Sequence, residues 1–283
     1  MKKLLAAVVQ MNSGEDKARN LKTAERLILA AVERGAGFVA LPETYNGCGR
    51  LDVLAKAAEH VPGPSLRRMA ALAKKLRIFL LAGSILERGP APGKAYNTSV
   101  LLDPTGRIVA TYRKMHLFEA NIAGHVGVRE QDVLVAGEEV VAARTPFGVV
   151  GLSICYDLRF PELYRALAAR GAEVLCVPSA FTMMTGKDHW EILLRARAIE
   201  NQAYVIAPNQ YGPHPGGGTT YGHSMIVDPW GLVVARVSEG EGIALAEMDP
   251  AVLAAARKRV PALRSRRTDR FILDCGSGLK TAR

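Results

Sequence analysis

The sequence predicts an α/β protein, a four-layer α-β-β-α sandwich built from two homologous halves. Three observations carry that expectation. G-A-G-F-V-A-L-P-E-T-Y (35–45) aligns with G-A-E-V-L-C-V-P-S-A-F (171–181), and Y-N-T-S-V-L-L-D-P-T-G-R-I-V-A (96–110) with Y-G-H-S-M-I-V-D-P-W-G-L-V-V-A (221–235). The offsets, 136 and 125 residues, are too long for a solenoid repeat and fit two copies of one larger unit. Short apolar runs alternate with helix-period stretches, so each copy reads as a sheet with helices on its outer face. At 49% hydrophobic residues, the 283-residue chain can fill a core between the sheets as well as beneath the helices.

The elements follow in order. Leu4 to Val9 is a short apolar run followed by Gln10 and Asn12 with no small-residue cleavage site, so it reads as a buried first strand and not a secretory leader. Ser13 to Asp16 offers an N-cap and a first-turn acid. The helix that follows carries Leu21, Leu27, Ile28 and Ala31 on one face and stops at Gly35. Phe38 to Leu41 reads as a buried strand. Leu66, Met69, Ala73 and Leu76 mark a second helix, leading into an apolar strand from Ile78 to Leu86. Asp103-Pro104-Thr105-Gly106 and Asp228-Pro229-Trp230-Gly231 are turns between strand-like runs. Phe147 to Ile154 is a strand, Pro161 opens a helix, and Gly171 ends it. Asp188 and Glu191 have the spacing of a capping box for a helix with Trp190, Leu193, Leu194 and Ala198. Residues 1–271 form one domain on this reading, and 272–283 form a C-terminal tail, mobile or at a subunit interface.

The formal charge of +10 is unevenly placed: from Arg257 to Arg283 there are nine Lys or Arg and two acids, which is +7 of the total. Phe271 is the only aromatic residue there, so the tail lacks the stacking residues of a single-strand nucleic-acid groove and reads as solvated or subunit-facing. No apolar run approaches the ~20 residues that span a membrane. Cys48, Cys155, Cys176 and Cys275 are widely spaced with no C-x-x-C pair, which argues against a zinc site or a disulfide framework and for a reducing, cytoplasmic setting.

Three reactive residues stand at predicted strand ends: Glu43 in V-A-L-P-E-T-Y, Lys114 in Y-R-K-M-H-L-F and Cys155 in I-C-Y-D-L-R-F-P-E. A base, a cation and a nucleophile together can open an amide. Cys155 lies between a strand and the helix at Pro161, where backbone amides and a positive helix end would favour a thiolate. Cys176, in L-C-V-P, reads as a buried inert thiol, and so does Cys48. Glu43 follows a strand too apolar for a solvent edge, where a carboxylate is costly unless paired or functional. Lys114 can stabilise the oxyanion of a tetrahedral intermediate, with the Tyr156 N–H as second donor. His116, His189 and His223 could each serve a Cys-His hydrolase, yet each also stands where a histidine commonly makes a structural hydrogen bond. The loop from Gly212 to Thr220, with P-H-P-G-G-G, reads as a pocket-shaping segment or a plain connection.

In order and spacing, these three motifs resemble the nitrilase, or carbon-nitrogen hydrolase, superfamily from about Met1 to Phe271. The resemblance implies the same α-β-β-α fold, with Glu43 as general base, Lys114 as oxyanion cation and Cys155 as nucleophile of a thioester mechanism without metal or organic cofactor. It implies that Glu130, in G-V-R-E-Q-D, helps hold the lysine and the substrate amide. P-S-A-F-T-M-M-T-G-K-D-H-W-E (178–191) and R-A-R-A-I-E-N-Q (195–202) look most like the Nit-type branch, which contains deaminated glutathione amidases and omega-amidases. Their substrates carry carboxylates. Arg159 matches a carboxylate-binding arginine of related carbamoylases, and its other reading is a structural ion pair; Phe181 and Thr182 fall in the segment expected to line the substrate. The expected activity is therefore hydrolysis of a small carboxylate-bearing amide with release of ammonia. Nitrile or N-carbamoyl substrates stay open, as do a Cys-His peptidase and a binding module acting through the basic tail. The expected partners are the small amide and further copies of the chain, as a homodimer or larger assembly, with no nucleic acid and no membrane.

Overall fold

The computed structural model describes residues 2–120, 128–216 and 218–267; the tail from 272 to 283 lies outside the described residues. The first half supplies β1 (Leu4–Gln10), β2 (Phe38–Ala40), β3 (Phe79–Leu81), β4 (Ile85–Arg88), β5 (Ala95–Leu102) and β6 (Ile108–Arg113). The second supplies β7 (Ala142–Thr145), β8 (Gly148–Leu152), β9 (Val174–Cys176), β10 (Tyr204–Ala207), β11 (Met225–Val227) and β12 (Val233–Arg236), after which β13 (Gly242–Met248) returns to the first sheet. The sheet orders are β13-β1-β2-β3-β5-β4, with β6 on β5, and β12-β11-β10-β9-β8-β7.

The two sheets are copies down to the register. Ala6 pairs with Phe38 and Phe38 with Phe79 in the parallel centre of one. Val150 pairs with Val174 and Val174 with Tyr204 in the other. Each centre is flanked by an antiparallel strand, β5 on β3 and β11 on β10. The helices α1 (Lys17–Glu33) and α2 (Pro64–Leu76) belong to the first half, α3 (Pro161–Ala169) and α4 (Glu191–Asn201) to the second, and α5 (Pro250–Arg259) closes the described chain.

Period-2 alternation sorts the first sheet's side chains between two cores. Ala6, Val8, Phe38, Ala40 and Leu81 join Val150, Leu152, Val174 and Ile206 of the facing sheet. Their neighbours Ala7, Val9, Val39 and Leu80 join Leu21, Leu27, Ile28, Leu66 and Met69 beneath α1 and α2. Phe147 crosses between the layers, its ring centroid 5.1 Å from Phe38 and 5.0 Å from Phe79. The order is thus helix, sheet, sheet, helix, as the sequence predicts.

Three local expectations are corrected. Asp16 is the N-cap of α1, its side chain accepting from Arg19 N at 3.0 Å, and not an acid of the first turn. The apolar run from Ile78 to Leu86 is two strands, because the chain turns at Gly83 (φ +38), pressed so closely on the Leu41 and Pro42 carbonyls that a Cβ would overlap them. The Asp188–Glu191 capping box does not form. Helical winding already starts at Met183 and passes through a π-turn, Gly186–Trp190, into α4, so both acids lie inside the winding. That turn brings Trp190 into the core, where its Nε1–H donates to His223 O at 2.9 Å. The two Asp-Pro-x-Gly turns form as expected, with Gly106 and Gly231 at φ +80 and +89.

Candidate active site

The break at Gly83 shapes the Glu43 turn. Beyond β2 the chain bends at Thr44 (φ +48), whose N–H donates to Ser84 Oγ at 3.0 Å, while Tyr45 N–H donates to Ser84 O at 3.2 Å. Glu43 is thereby fixed in the interior, only 4% exposed. Its Oε1 accepts from Asn97 Nδ2 at 2.7 Å and from Lys114 Nζ at 3.1 Å, and its Oε2 accepts from Ala180 N at 2.8 Å. Lys114 follows β6, its N–H held by Asn97 O at 2.9 Å, and its ammonium is also buried. There it donates to Glu130 Oε1 at 2.9 Å, and Glu130 Oε2 accepts from Phe118 N at 2.7 Å. One ammonium is shared by two buried carboxylates.

Cys155 arrives from the second half. It follows β8 in a left-handed conformation (φ +47), its N–H donating to Pro178 O at 3.0 Å, and it opens the 3-10 turn Cys155–Arg159. Its thiol stands close enough to Glu43, Lys114 and the Ala180 N–H for each to act on its ionisation. Tyr156 N–H lies at the start of that turn, where amides lack an intrahelical acceptor. Asp157, wholly buried, fastens the turn to the Lys114 strand end: Oδ2 accepts from Tyr112 OH at 2.7 Å and Ile154 N at 2.8 Å. Its Oδ1 accepts from His116 N at 3.0 Å and lies 2.7 Å from His116 Nδ1. The His116 ring stacks on Phe160 at 3.7 Å, so this histidine is a brace between the two segments.

The electrostatics overturn one expectation. Burial pushes the Cys155 thiol well above its ordinary pKa, and the Glu43 carboxylate pushes it further; Lys114 offsets only part of this. The resting sulfur is a thiol, not a thiolate, and needs a base in contact. For Lys114, burial works against the charge, but Glu130 and Glu43 outweigh it and hold the ammonium well above the usual lysine range. Burial raises the Glu130 carboxyl, with Lys114 opposing. Cys176, buried at the end of β9, is also pushed up by burial, in keeping with an inert thiol.

Around this centre, Arg159 is half-buried, its guanidinium carbon 5.1 Å from the Phe181 ring centroid and 5.8 Å from that of Tyr156. Among the described residues no carboxylate is paired with it. Phe181 is buried against Trp190, its N–H donating to Asn209 Oδ1 at 2.9 Å. Thr182 bridges to Thr220 across the hairpin Tyr211–Pro213 and Thr219–Tyr221. That hairpin is tied down: His214 Nδ1 lies 2.9 Å from Ser13 O, and its Nε2 2.7 Å from Thr220 Oγ1. His223 Nδ1 lies 2.9 Å from Tyr221 O, and His189 contacts Arg159, so His116, His189 and His223 each take a partner other than Cys155.

A carbon-nitrogen hydrolase family model matches residues 5–258. The chain belongs to the carbon-nitrogen hydrolase family. It is 44% identical to a deaminated glutathione amidase of Synechocystis, an alignment spanning 94% of this chain and 99% of that one. It is 37% identical to the zebrafish omega-amidase NIT2, over 96% and 97%. Among solved structures, Nit3 of Saccharomyces cerevisiae, a member of branch 10 of the nitrilase superfamily, superimposes with a TM-score of 0.86 at 36% identity, over 95% of this chain and 97% of that one. As a carbon-nitrogen hydrolase with amidase relatives, the protein is an amide-hydrolysing enzyme. No helix among the described residues is long and apolar enough to cross a membrane.

Sequence reasoning missed four residues that build the hydrolase site. Asn97 and Asp157 are described above. Arg197, buried in the R-A-R-A segment, donates through Nε and Nη2 to Leu158 O at 3.1 and 2.7 Å, clamping the end of the Cys155 turn. Gln210 Nε2 donates to Glu43 O and Ser13 Oγ, both at 2.9 Å, tying the halves together. For Asp157 and Arg197 a signal existed, a charged residue at a core position of an apolar segment.

Proposed function

We propose that the chain hydrolyses a small, carboxylate-bearing amide through a Cys155 thioester, and that its substrate is deaminated glutathione. The observation that carries the mechanism is the placement of Glu43, bonded to the Lys114 ammonium, beside a Cys155 thiol held protonated by burial. Glu43 takes the thiol proton as sulfur attacks the amide carbon. Charge then develops on the carbonyl oxygen, for which the Lys114 ammonium and Tyr156 N–H are fixed donors, an arrangement worth about 3 kcal/mol per donor. The C–N bond breaks, Glu43 returns its proton to nitrogen, and the amine leaves, as cysteinylglycine from deaminated glutathione or as ammonia from a primary amide, which corrects the expectation of ammonia for that substrate. The carboxylate next takes a proton from water, hydroxide attacks the thioester, and the released thiolate recovers its proton from Glu43. Glu130 keeps Lys114 charged and aimed throughout.

Arg159, flanked by aromatic faces and without an acid partner among the described residues, supports binding of the substrate carboxylate. Higher identity to deaminated glutathione amidase than to omega-amidase supports the first of those substrates over alpha-ketoglutaramate. Release of cysteinylglycine from deaminated glutathione, and of ammonia from alpha-ketoglutaramate, a carbamoyl amino acid and a simple nitrile, tests both parts. Release is expected to be fastest from deaminated glutathione and to fall by about 10⁵-fold or more in Cys155→Ala with the circular dichroism spectrum unchanged. Undiminished turnover in that variant would refute the thioester, and preference for another of the four would refute the substrate.

A further inference from the structure

His189 is the one polar partner of Arg159 among the described residues, its Nδ1 lying 3.1 Å from Nη1. Elsewhere in the second half, Arg165, Arg195, Arg197 and Arg236 each hold an acid, and Arg170 and Arg257 donate to backbone carbonyls. A guanidinium donates only and keeps its proton, so this contact requires a bare Nδ1. His189 is then the neutral tautomer with its proton on Nε2; an imidazolium would set two cations against each other. The imidazole is also delivered by a fixed element. It belongs to the π-turn Gly186–Trp190, pinned at one end by Gly186, whose Cα lies so close to the Tyr221 ring that no side chain fits. At the other end it is pinned by the Trp190 bond to His223 O. Single π-turns recur at functional sites, and here the extra residue places an acceptor on Arg159 where the aromatic rings of Tyr156 and Phe181 provide none.

We propose that His189 is a positioning residue for carboxylate recognition: its Nδ1 holds the Arg159 guanidinium in the gap between Tyr156 and Phe181, the neighbours of Cys155 and of the Glu43-bound Ala180. The proposal rests on the reading that Arg159 binds the substrate carboxylate. An arginine fixed in this way loses little side-chain freedom when an anion binds, whereas one released from His189 must be ordered by the substrate itself. The effect therefore belongs in KM and not in the chemical step.

Steady-state ammonia release from glutaramic acid and from pentanamide, which has the same carbon chain without the acid, separates the possibilities. His189→Leu is expected to raise KM for glutaramic acid about tenfold, with kcat within about twofold and no change for pentanamide. His189→Asn, whose Oδ1 can replace Nδ1 as acceptor, is expected to restore most of the loss. An equal KM change for both amides, or a loss confined to kcat, would overturn the proposal, since a merely structural histidine would act in that way. Arg159→Met in the same assay tests the reading beneath it. A carboxylate-specific loss in Arg159→Met without one in His189→Leu would sink the positioning role alone, and no such loss in Arg159→Met would sink the carboxylate site together with this proposal.

Discussion

The two halves share a sheet register but differ in what their strand ends carry. Counting along the matched parallel strands, Cys155 follows β8 at the position where Met11 follows β1, and Asp157 corresponds to Ser13. By the aligned repeats, Glu43 corresponds to Ser179 and Asn97 to Gly222. The first half thus keeps the base and the cation, and the second keeps the nucleophile. At the matching positions stand neutral groups: Ser13 Oγ donates to Tyr45 O at 2.9 Å, and Ser179 Oγ donates to Val177 O at 3.1 Å. A fold that could have carried two symmetric sites has filled one with satisfied neutral hydrogen bonds and concentrated buried charge in the other. Uncompensated buried charge is costly, so a single, fully paired charged cluster is the cheaper arrangement.

The largest effect should come from trying to move the base between halves. Glu43→Gln leaves the raised Cys155 thiol without a proton acceptor, and kcat is expected to fall by about 10⁴-fold. Adding Ser179→Glu restores a carboxylate at the corresponding position, yet no counterpart of Lys114 or Asn97 is in contact with it. The double variant should therefore remain inactive and be less stable than Glu43→Gln, by thermal melting. Recovery of even a few per cent of amide hydrolysis would show the halves to be chemically interchangeable.

Lys114→Met comes next. Loss of the oxyanion cation should lower kcat about 10³-fold. The change also leaves Glu43 and Glu130 buried without their shared ammonium, at a cost of about 3–5 kcal/mol near neutral pH. The sign of the pH dependence follows from Glu130. Its folded pKa is raised by burial even with Lys114 present, and removing that opposing cation raises it further. A carboxyl with a raised folded pKa contributes most stability below its unfolded pKa and loses it as pH rises through the folded value. The Tm gap between variant and wild type should accordingly narrow as pH falls from 8 toward 5. A constant gap would mean that the carboxylates find other partners.

How far the sequence reveals this asymmetry depends on how local each cause is. Glu43, Lys114 and Cys155 stand out because each places a reactive group after an apolar strand, and the Asp-Pro-x-Gly turns are legible because their bonds close within four residues. Asn97 is not, since its Glu43 partner is 54 residues away and meets it only when β5 and the Glu43 turn pack together. The break at Gly83 is hidden inside an apolar run, because its cause is the Pro42 carbonyl of another segment. The state of the Cys155 thiol is misread for the same reason. A strand end before a helix suggests a thiolate, but burial and the carboxylate from the other half decide the matter.

Asp157 tests how tightly the halves must be joined. Four donors, from Tyr112, Ile154 and His116, converge on its two oxygens. An amide accepts at one atom only, so Asp157→Asn turns an NH₂ group toward buried donors, at a cost of about 3 kcal/mol. The turn carrying Cys155 then shifts against the end of β6 that carries Lys114, and kcat is expected to drop about 10- to 100-fold at nearly unchanged KM. Loss of stability without loss of kcat would show that the brace serves folding alone.

The smallest effects are expected where the halves remain alike. Asp103 Oδ1 accepts from Thr105 N at 2.8 Å and Arg107 N at 3.0 Å, and Asp228 Oδ1 accepts from Trp230 N and Leu232 N, both at 2.9 Å. The same turn thus follows β5 and β11, on the repeated strands and away from the charged cluster. Asp103→Ala and Asp228→Ala should each cost about 1 kcal/mol, the former slightly more for its added Thr105 hydroxyl bond, with kcat unchanged. For Asp103 the linkage has a defined sign. Partial burial opposes its charge, but the Thr105 hydroxyl and the Arg107 and Thr105 amides outweigh it and hold the carboxyl below its ordinary value. Its contribution is therefore present above the unfolded pKa and lost as pH falls through the folded one, so the Asp103→Ala penalty should fade in acid. Penalties of similar size at neutral pH would show that the repeat still works as one scaffold twice over, and a loss of kcat in either variant would place that turn within reach of the chemistry.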